Sequence, residues 1–233
     1  MKQSFIVLFL LLSFISCVNK KETPSPEIEN ADWYILRAPE NREIQAVFGD
    51  IDGTVLITDR FRIYYTNDKG KTWNQADYNS HIGLAGFTMS NDTLFVLDTE
   101  TSNSADPGNR YAIRPYYFSV NGGISWKEMP KKPGIPEMKT PLNYGLSGNG
   151  IRFSIDQIIH PDGNVEHIGI KTENGRKISL PQHHVLTNVY FDKKSRLYVS
   201  GSAPLCNING YMQLCDKQNV RGTLYISKKA IDY

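Results

Sequence analysis

Thr66-Asn67-Asp68-Lys69-Gly70-Lys71-Thr72-Trp73 and Ser119-Val120-Asn121-Gly122-Gly123-Ile124-Ser125-Trp126 are two versions of one turn, S/T-x-D/N-x-G-x-S/T-W. In each, the Asp or Asn side chain can accept backbone N–H bonds across the turn, and Gly70 or Gly123 can hold a positive φ. The hydroxyl residue adds a local side-chain bond, and the indole is expected to pack inward between sheets. A hairpin recurring at a period of about fifty residues indicates a repeat fold, since repeats of roughly 20–50 residues mark solenoids and propellers.

Working outward from the turns, helical periodicity is nearly absent. Short runs rich in Tyr, Phe, Ile, Val and Thr are broken by Gly, Asn and Asp turns, the pattern of an all-β sandwich, barrel or propeller. The runs 44–48, 54–58 and 62–66 precede the first turn, and 73–76 follows it. The second set is 84–89, 93–98, 112–119 and, after the turn, 126–129. Four strands per set, with the turn between the third and fourth, is what a propeller blade requires. A third set (144–146, 152–159, 167–171) leads into Thr172-Glu173-Asn174-Gly175, with Ile178 where the tryptophan would stand. A fourth (185–191, 197–200, 223–227) lacks its last strand.

Trp33-Tyr34-Ile35-Leu36 is the natural candidate for that strand. Closing the ring with the opposite terminus removes a free sheet edge. The expectation is an all-β fold, a small propeller of about four four-stranded blades closed by an N-terminal strand, with a five-bladed ring holding one irregular blade, or an incomplete ring, as the alternatives and the tryptophan as the repeat marker.

On these two turns the chain resembles the Asp-box (BNR) repeat proteins of the sialidase-like superfamily. The resemblance implies that Thr66, Asp68, Gly70 and Trp73, with Ser119, Asn121, Gly123 and Trp126, form structural rims rather than active sites. It also raises an alternative, a sialidase-like glycoside hydrolase. Such enzymes resemble one another in an Arg-Ile-Pro motif, three arginines on a carboxylate, a Tyr–Glu pair and an Asp acid/base. Arg37-Ala38-Pro39 is a partial match, and Arg114 and Arg152 are the other candidate ligand arginines, with Asp50 or Asp52 as acids. A bidentate arginine cluster is the right chemistry for a carboxylate. Against this reading, those enzymes have six blades and this domain has room for about four.

At the N-terminus, Lys2 precedes an apolar run from Phe5 to Phe14, too short to span a membrane, as in a secretory signal peptide. Phe14-Ile15-Ser16-Cys17 resembles a bacterial lipobox, with Phe where Leu is usual, which implies cleavage before Cys17 and its acylation. Residues 1–16 are then a lipoprotein signal peptide, 17–30 a polar tether and 31–233 the propeller domain. Of three cysteines, removing Cys17 leaves Cys206 and Cys215. An exported domain meets an oxidising environment, so a disulfide across their Asn-Gly loop is expected.

The formal charge of +2 is spread without a basic stripe, which argues against a nucleic-acid partner. No metal or cofactor motif is present. His183 and His184, as neighbours on an extended chain, point to opposite faces and are expected in a loop or at the surface. The polar insertion from Thr99 to Tyr111, the segment 130–141 and the Cys206–Cys215 loop are the expected partner surfaces. The functional expectation is a cell-envelope lipoprotein, periplasm-facing or surface-exposed, that touches the membrane through its lipid anchor only. Its propeller is a non-catalytic binding module for a protein or glycan, one version being an immunity-type protein that blocks a toxin.

Overall fold

The computed structural model describes residues 30–103, 106–130 and 137–231; the expected signal peptide, Cys17 and the expected tether up to residue 29 lie outside them. The strands are β1 (Trp33–Arg37), β2 (Ala46–Gly49), β3 (Val55–Thr58), β4 (Ile63–Thr66), β5 (Asn74–Gln75), β6 (Gly86–Ser90), β7 (Thr93–Asn103), β8 (Asp106–Ser119), β9 (Lys127–Glu128) and β10 (Lys139–Pro141). They continue with β11 (Tyr144–Leu146), β12 (Arg152–Ile159), β13 (Val165–Thr172), β14 (Lys177–Ile178), β15 (Leu186–Phe191), β16 (Leu197–Gly201), β17 (Leu205–Ile208), β18 (Tyr211–Leu214) and β19 (Thr223–Ser227).

Four antiparallel sheets form a four-bladed ring. Blade 1 is β2-β3-β4-β5, blade 3 is β11-β12-β13-β14, and blade 2 is β6-β7-β8 with β9 and β10 on different stretches of β8. Blade 4 is β15-β16-β19-β1, so the N-terminal strand closes the ring as expected. Its register runs from Trp33 opposite Ser227 to Arg37 opposite Thr223.

Successive side chains on a strand point to opposite faces, and in this ring both faces of a blade are covered by its neighbours. On β19, Leu224 and Ile226 join the cluster shared with blade 1, with Leu36, Val47, Val55 and Ile57. Tyr225 between them faces blade 3, packing with Trp33, Phe153 and Ile170. Blades 1 and 2 meet through Leu56, Ile63, Phe87, Val96 and Trp126. The cluster between blades 2 and 3 is smaller: Ala85, Leu97, Ala112 and Leu142. Hence the middle strands read as continuous apolar runs, every residue of β3, β16 and β19 being buried. The outermost β5 and β9 are two exposed polar residues each, short charged or polar edges of the kind that resist edge-to-edge pairing.

The feature held in all four blades is a buried hydroxyl rather than the tryptophan. Thr66, Ser119, Thr172 and Ser227 each end the third strand of their blade, and all four are buried. Each accepts a backbone N–H: from Gly70 and Gly123 at 2.9 Å, Arg176 at 3.0 Å and Leu197 at 2.9 Å. Ile178 replaces the indole in blade 3, whereas the hydroxyl has a hydrogen-bond donor to satisfy at every position.

The ring centre is bolted by Asn188. Its Oδ1 accepts the Val47 N–H of blade 1 at 3.2 Å, and its Nδ2 donates to the Leu142 carbonyl at 3.0 Å. Val189 N–H donates to the same carbonyl. At the rim between blades 4 and 1, Arg196 binds Asp192 through Nε and Asp52 through Nη1, both at 2.7 Å, and Asp50 through Nη2. Tyr198 donates to Asp192 at 3.0 Å and accepts the Ile51 N–H at 2.9 Å. Lys194 lies 2.7 Å from Asp52. Lys194 and Arg196 outweigh the slight burial of the Asp52 carboxyl and hold it at about 2.

Candidate functional site

The two matching turns use their side chains on themselves. Asp68 Oδ1 accepts the Thr72 N–H at 2.9 Å and the Thr66 hydroxyl at 2.8 Å, and Oδ2 accepts the Thr72 hydroxyl at 2.6 Å. Burial alone would raise its carboxyl, but these bonds outweigh it and hold the group below the usual range. Asn121 repeats the pattern, with Ser125 N–H to its Oδ1 at 3.0 Å and its Nδ2 to the Ser125 hydroxyl at 2.9 Å. Gly70 has φ +82° and Gly123 φ +90°, and a Cβ on either would strike the preceding blade, at Leu36 and Leu56. Each turn is therefore seated on its neighbour. The indoles differ: Trp126 Nε1 donates to Gly123 O at 2.9 Å, while Trp73 Nε1 is buried without a partner among the described residues.

Arg37, Arg114 and Arg152 belong to blades 4, 2 and 3 and engage separate partners. Arg37 bonds Thr223 and, at 3.1 Å, Gln182. Arg114 is largely exposed, 3.8 Å from Asp98. Arg152 lies 3.8 Å over the Tyr144 ring and bonds Asn109 and Ser154. Asp50 and Asp52 are committed to Arg196 and Lys194.

His184 lies on the link before β15, within the expectation of a loop, but it is not at the surface. It is 3 % exposed, with Nδ1 2.8 Å from Ser202 O and Nε2 2.7 Å from Tyr225 Oη. A carbonyl only accepts, so Nδ1 carries the proton and Nε2 accepts from Tyr225. The alternation argument held for neighbouring side chains, yet it carried no information about which face another blade covers. Burial, which outweighs the hydrogen bond to Ser202, lowers the imidazole to about 4, and nearby Arg37 and His183 push the same way. Unfolded, the ring takes up a proton below about 6.5, so stability falls as pH drops from there towards 4. Between pH 7 and 5 the loss attributable to this group is about 2 kcal/mol. Chemical denaturation of the wild type and His184→Gln at both pH values checks it, the variant being expected to lose most of that slope.

The strands' directions define two faces. Hairpins within the first two strands and the matching turns lie on a lower face, and the blade-to-blade links and second-to-third-strand connections on an upper one. The insertion after Thr99 is not a loop: β7 and β8 continue through it as a ribbon pairing Thr99 with Ile113 and Ser102 with Arg110. Glu100 and Ser102 are exposed polar residues on paired backbone, so composition alone resembled a loop. Part of the 130–141 segment, β10, lies against Tyr111–Ile113, and residues 131–136 are outside the described ones.

The cysteines are joined, with S–S 2.03 Å, across the separate hairpin β17–β18. At its tip Asn209 and Gly210 both have positive φ, the requirement of a two-residue hairpin turn. Ile208, Tyr211 and Met212 stand out from it, Tyr211 72 % exposed. On the same upper face, Ile158, Ile159 and Val165 are exposed at the β12–β13 hairpin and Val185 on the link to blade 4. Together these exposed apolar side chains make the upper face a candidate interaction surface, although Met89, Val120, Ile124 and Leu146 are exposed on the lower face as well. The sequence signals were the Asn-Gly turn and the two cysteines; the grouping of the aliphatic residues had none.

No protein-family model matches the chain, and no curated protein sequence does. Among solved structures, similar ones include YCF48 bound to D1 peptide, 12% identical with TM-score 0.36, covering 89% of this chain and 99% of that one. A luciferin-regenerating enzyme is 10% identical with TM-score 0.39, covering 85% and 97%. The PQQ-bound aldose sugar dehydrogenase of Streptomyces coelicolor is 9% identical with TM-score 0.37, covering 86% and 99%. At these values the likenesses transfer no ligand or activity, and the four-bladed β-propeller rests on the strand pairing itself.

Proposed function

We propose that the protein is a cell-envelope lipoprotein, acylated at Cys17, whose Asp-box-like propeller is a non-catalytic module that binds a protein partner through its upper face. The observation that carries the reading is the disulfide-stapled hairpin presenting Ile208, Tyr211 and Met212 to solvent. A rigid hairpin lowers the ordering cost of association, and a tyrosine anchor is typical of binding hot spots. The glycoside hydrolase alternative has less support, because the three arginines do not converge on a common partner.

One membrane preparation tests both parts. Palmitate-analogue labelling is expected for the wild type and lost in Cys17→Ala. Crosslinking in the envelope is expected to give a defined adduct that falls at least tenfold in Tyr211→Ser/Met212→Ser, with Tm unchanged, as exposed substitutions usually allow. An adduct undiminished in the double variant excludes this face.

A further inference from the structure

Two adjoining cavities open where the first strands of the blades reach the lower face. One, of about 220 Å³, lies among Val47, Phe87, Tyr144, Leu146 and Phe191. The second, of about 350 Å³, is bounded by Phe48, Leu56, Met89 and Leu94, with Asp50 and Lys193 as its charged lining residues. Tyr190 lines both, and its ring sits 5.4 Å from that of Phe48. The larger volume falls at the lower end of ligand pockets, roughly 300–1,000 Å³. At the mouth Met89 and Leu146 remain 43 % and 55 % exposed, apolar surface left uncovered by the described residues. Burial pushes the Tyr190 hydroxyl to about 12, so the aromatic wall adds no negative charge at neutral pH.

The charges beside the mouth nearly cancel. Asp50, Asp52 and Asp192 are taken by Arg196, Lys194 and Lys69. Lys193 is the surplus: exposed, lining the larger cavity, and making no ion pair or side-chain hydrogen bond among the described residues. A single ammonium at the edge of an apolar, aromatic-walled cavity is complementary to a ligand with an apolar body and one negative charge. A cationic head would meet like charge, and a neutral one would leave the lysine unused.

We propose that the lower mouth of the ring is a second binding site, for an aliphatic or aryl carboxylate whose apolar body lies against Phe48, Tyr190 and Met89 and whose carboxylate meets Lys193. The site is independent of the upper-face partner, and either can fail without the other.

Calorimetric titration of the purified domain with decanoate, 4-phenylbutyrate, decanol and decyltrimethylammonium tests it. Decanoate or phenylbutyrate is expected to bind one-to-one, tighter than about 1 mM; which of the two is preferred distinguishes a fatty acid from an aryl acid. Decanol is expected at least tenfold weaker, and the cation should not bind. Lys193→Ala should weaken the carboxylates at least tenfold with Tm unchanged, and Met89→Trp should abolish binding by filling the mouth. Equal binding of the cation, undiminished binding in either variant, or no saturable binding of either carboxylate would overturn the proposal.

Discussion

Replacing Arg196 with methionine is expected to destabilise the domain by about 3–5 kcal/mol, because it leaves a buried carboxylate without its counter-charge. The side chain of Asp192 is 1 % exposed and its Oδ2 takes Arg196 Nε at 2.7 Å. Its remaining donors are the Tyr198 hydroxyl and the N–H groups of Lys194 and Arg196, which cannot neutralise a charge. Methionine preserves most of the stem volume, so the loss isolates the guanidinium rather than packing. For a domain of this size each kcal/mol moves Tm by about 2–4 °C, so the fall should be on the order of 10 °C. Asp50 and Asp52 are more exposed and can return to water, so Asp52→Asn should cost far less. The Asp192→Leu/Arg196→Met pair should recover much of the loss, since swapping a whole buried ion pair for apolar groups is often neutral. If Arg196→Met alone melts within about 2 °C of wild type, the cluster is not what latches blade 4 to blade 1.

Deleting residues 30–38 should be more severe still, abolishing a cooperative monomeric transition. Strand β1 contributes Trp33 and Ile35 to one inter-blade cluster and Leu36 to another, which Ala38 just beyond the strand also joins. Without it, the whole of β19 becomes a free edge. Such an edge is apolar and long enough to template pairing between molecules. Size-exclusion chromatography should show aggregates or expanded chain, and a synthetic peptide of residues 30–38 should restore a monomer with a sharp melt. A truncated protein that stays monomeric and melts as sharply as the parent would mean that the ring does not depend on this closure.

Blade strands, closure and disulfide were legible because each follows from local pattern. The hydroxyl-to-Trp turns set a phase, and counting strands from it left blade 4 one short. Trp33-Tyr34-Ile35-Leu36 was the segment with the matching pattern, and it pairs with β19. Cys206 and Cys215 paired by the same economy. The β7–β8 ribbon was not legible, because polar residues on paired backbone look like polar residues in a loop. Nor was the buried His184, whose acceptor Ser202 and donor Tyr225 lie on other strands and links of its blade. Tryptophan was the visible repeat marker but the buried hydroxyl was the faithful one. The conspicuous indole is replaced by Ile178, whereas the hydroxyl accepts the N–H four residues on in blades 1 to 3 and the Leu197 N–H of the adjacent strand in blade 4.

By itself, then, the sequence determined the all-β class, the blade phase, the closing strand and the cysteine pairing, because alternation and turn chemistry act over a few residues. Tertiary structure alone decided what each face can do. Asn188 finds Val47 and Leu142 far along the chain, Arg196 finds Asp50 and Asp52 across a blade boundary, and Lys193 is left without a partner among the described residues while Lys194 and Arg196 hold the carboxylates around it. Such pairings depend on which blades become neighbours, a property of ring closure that no local window of residues contains.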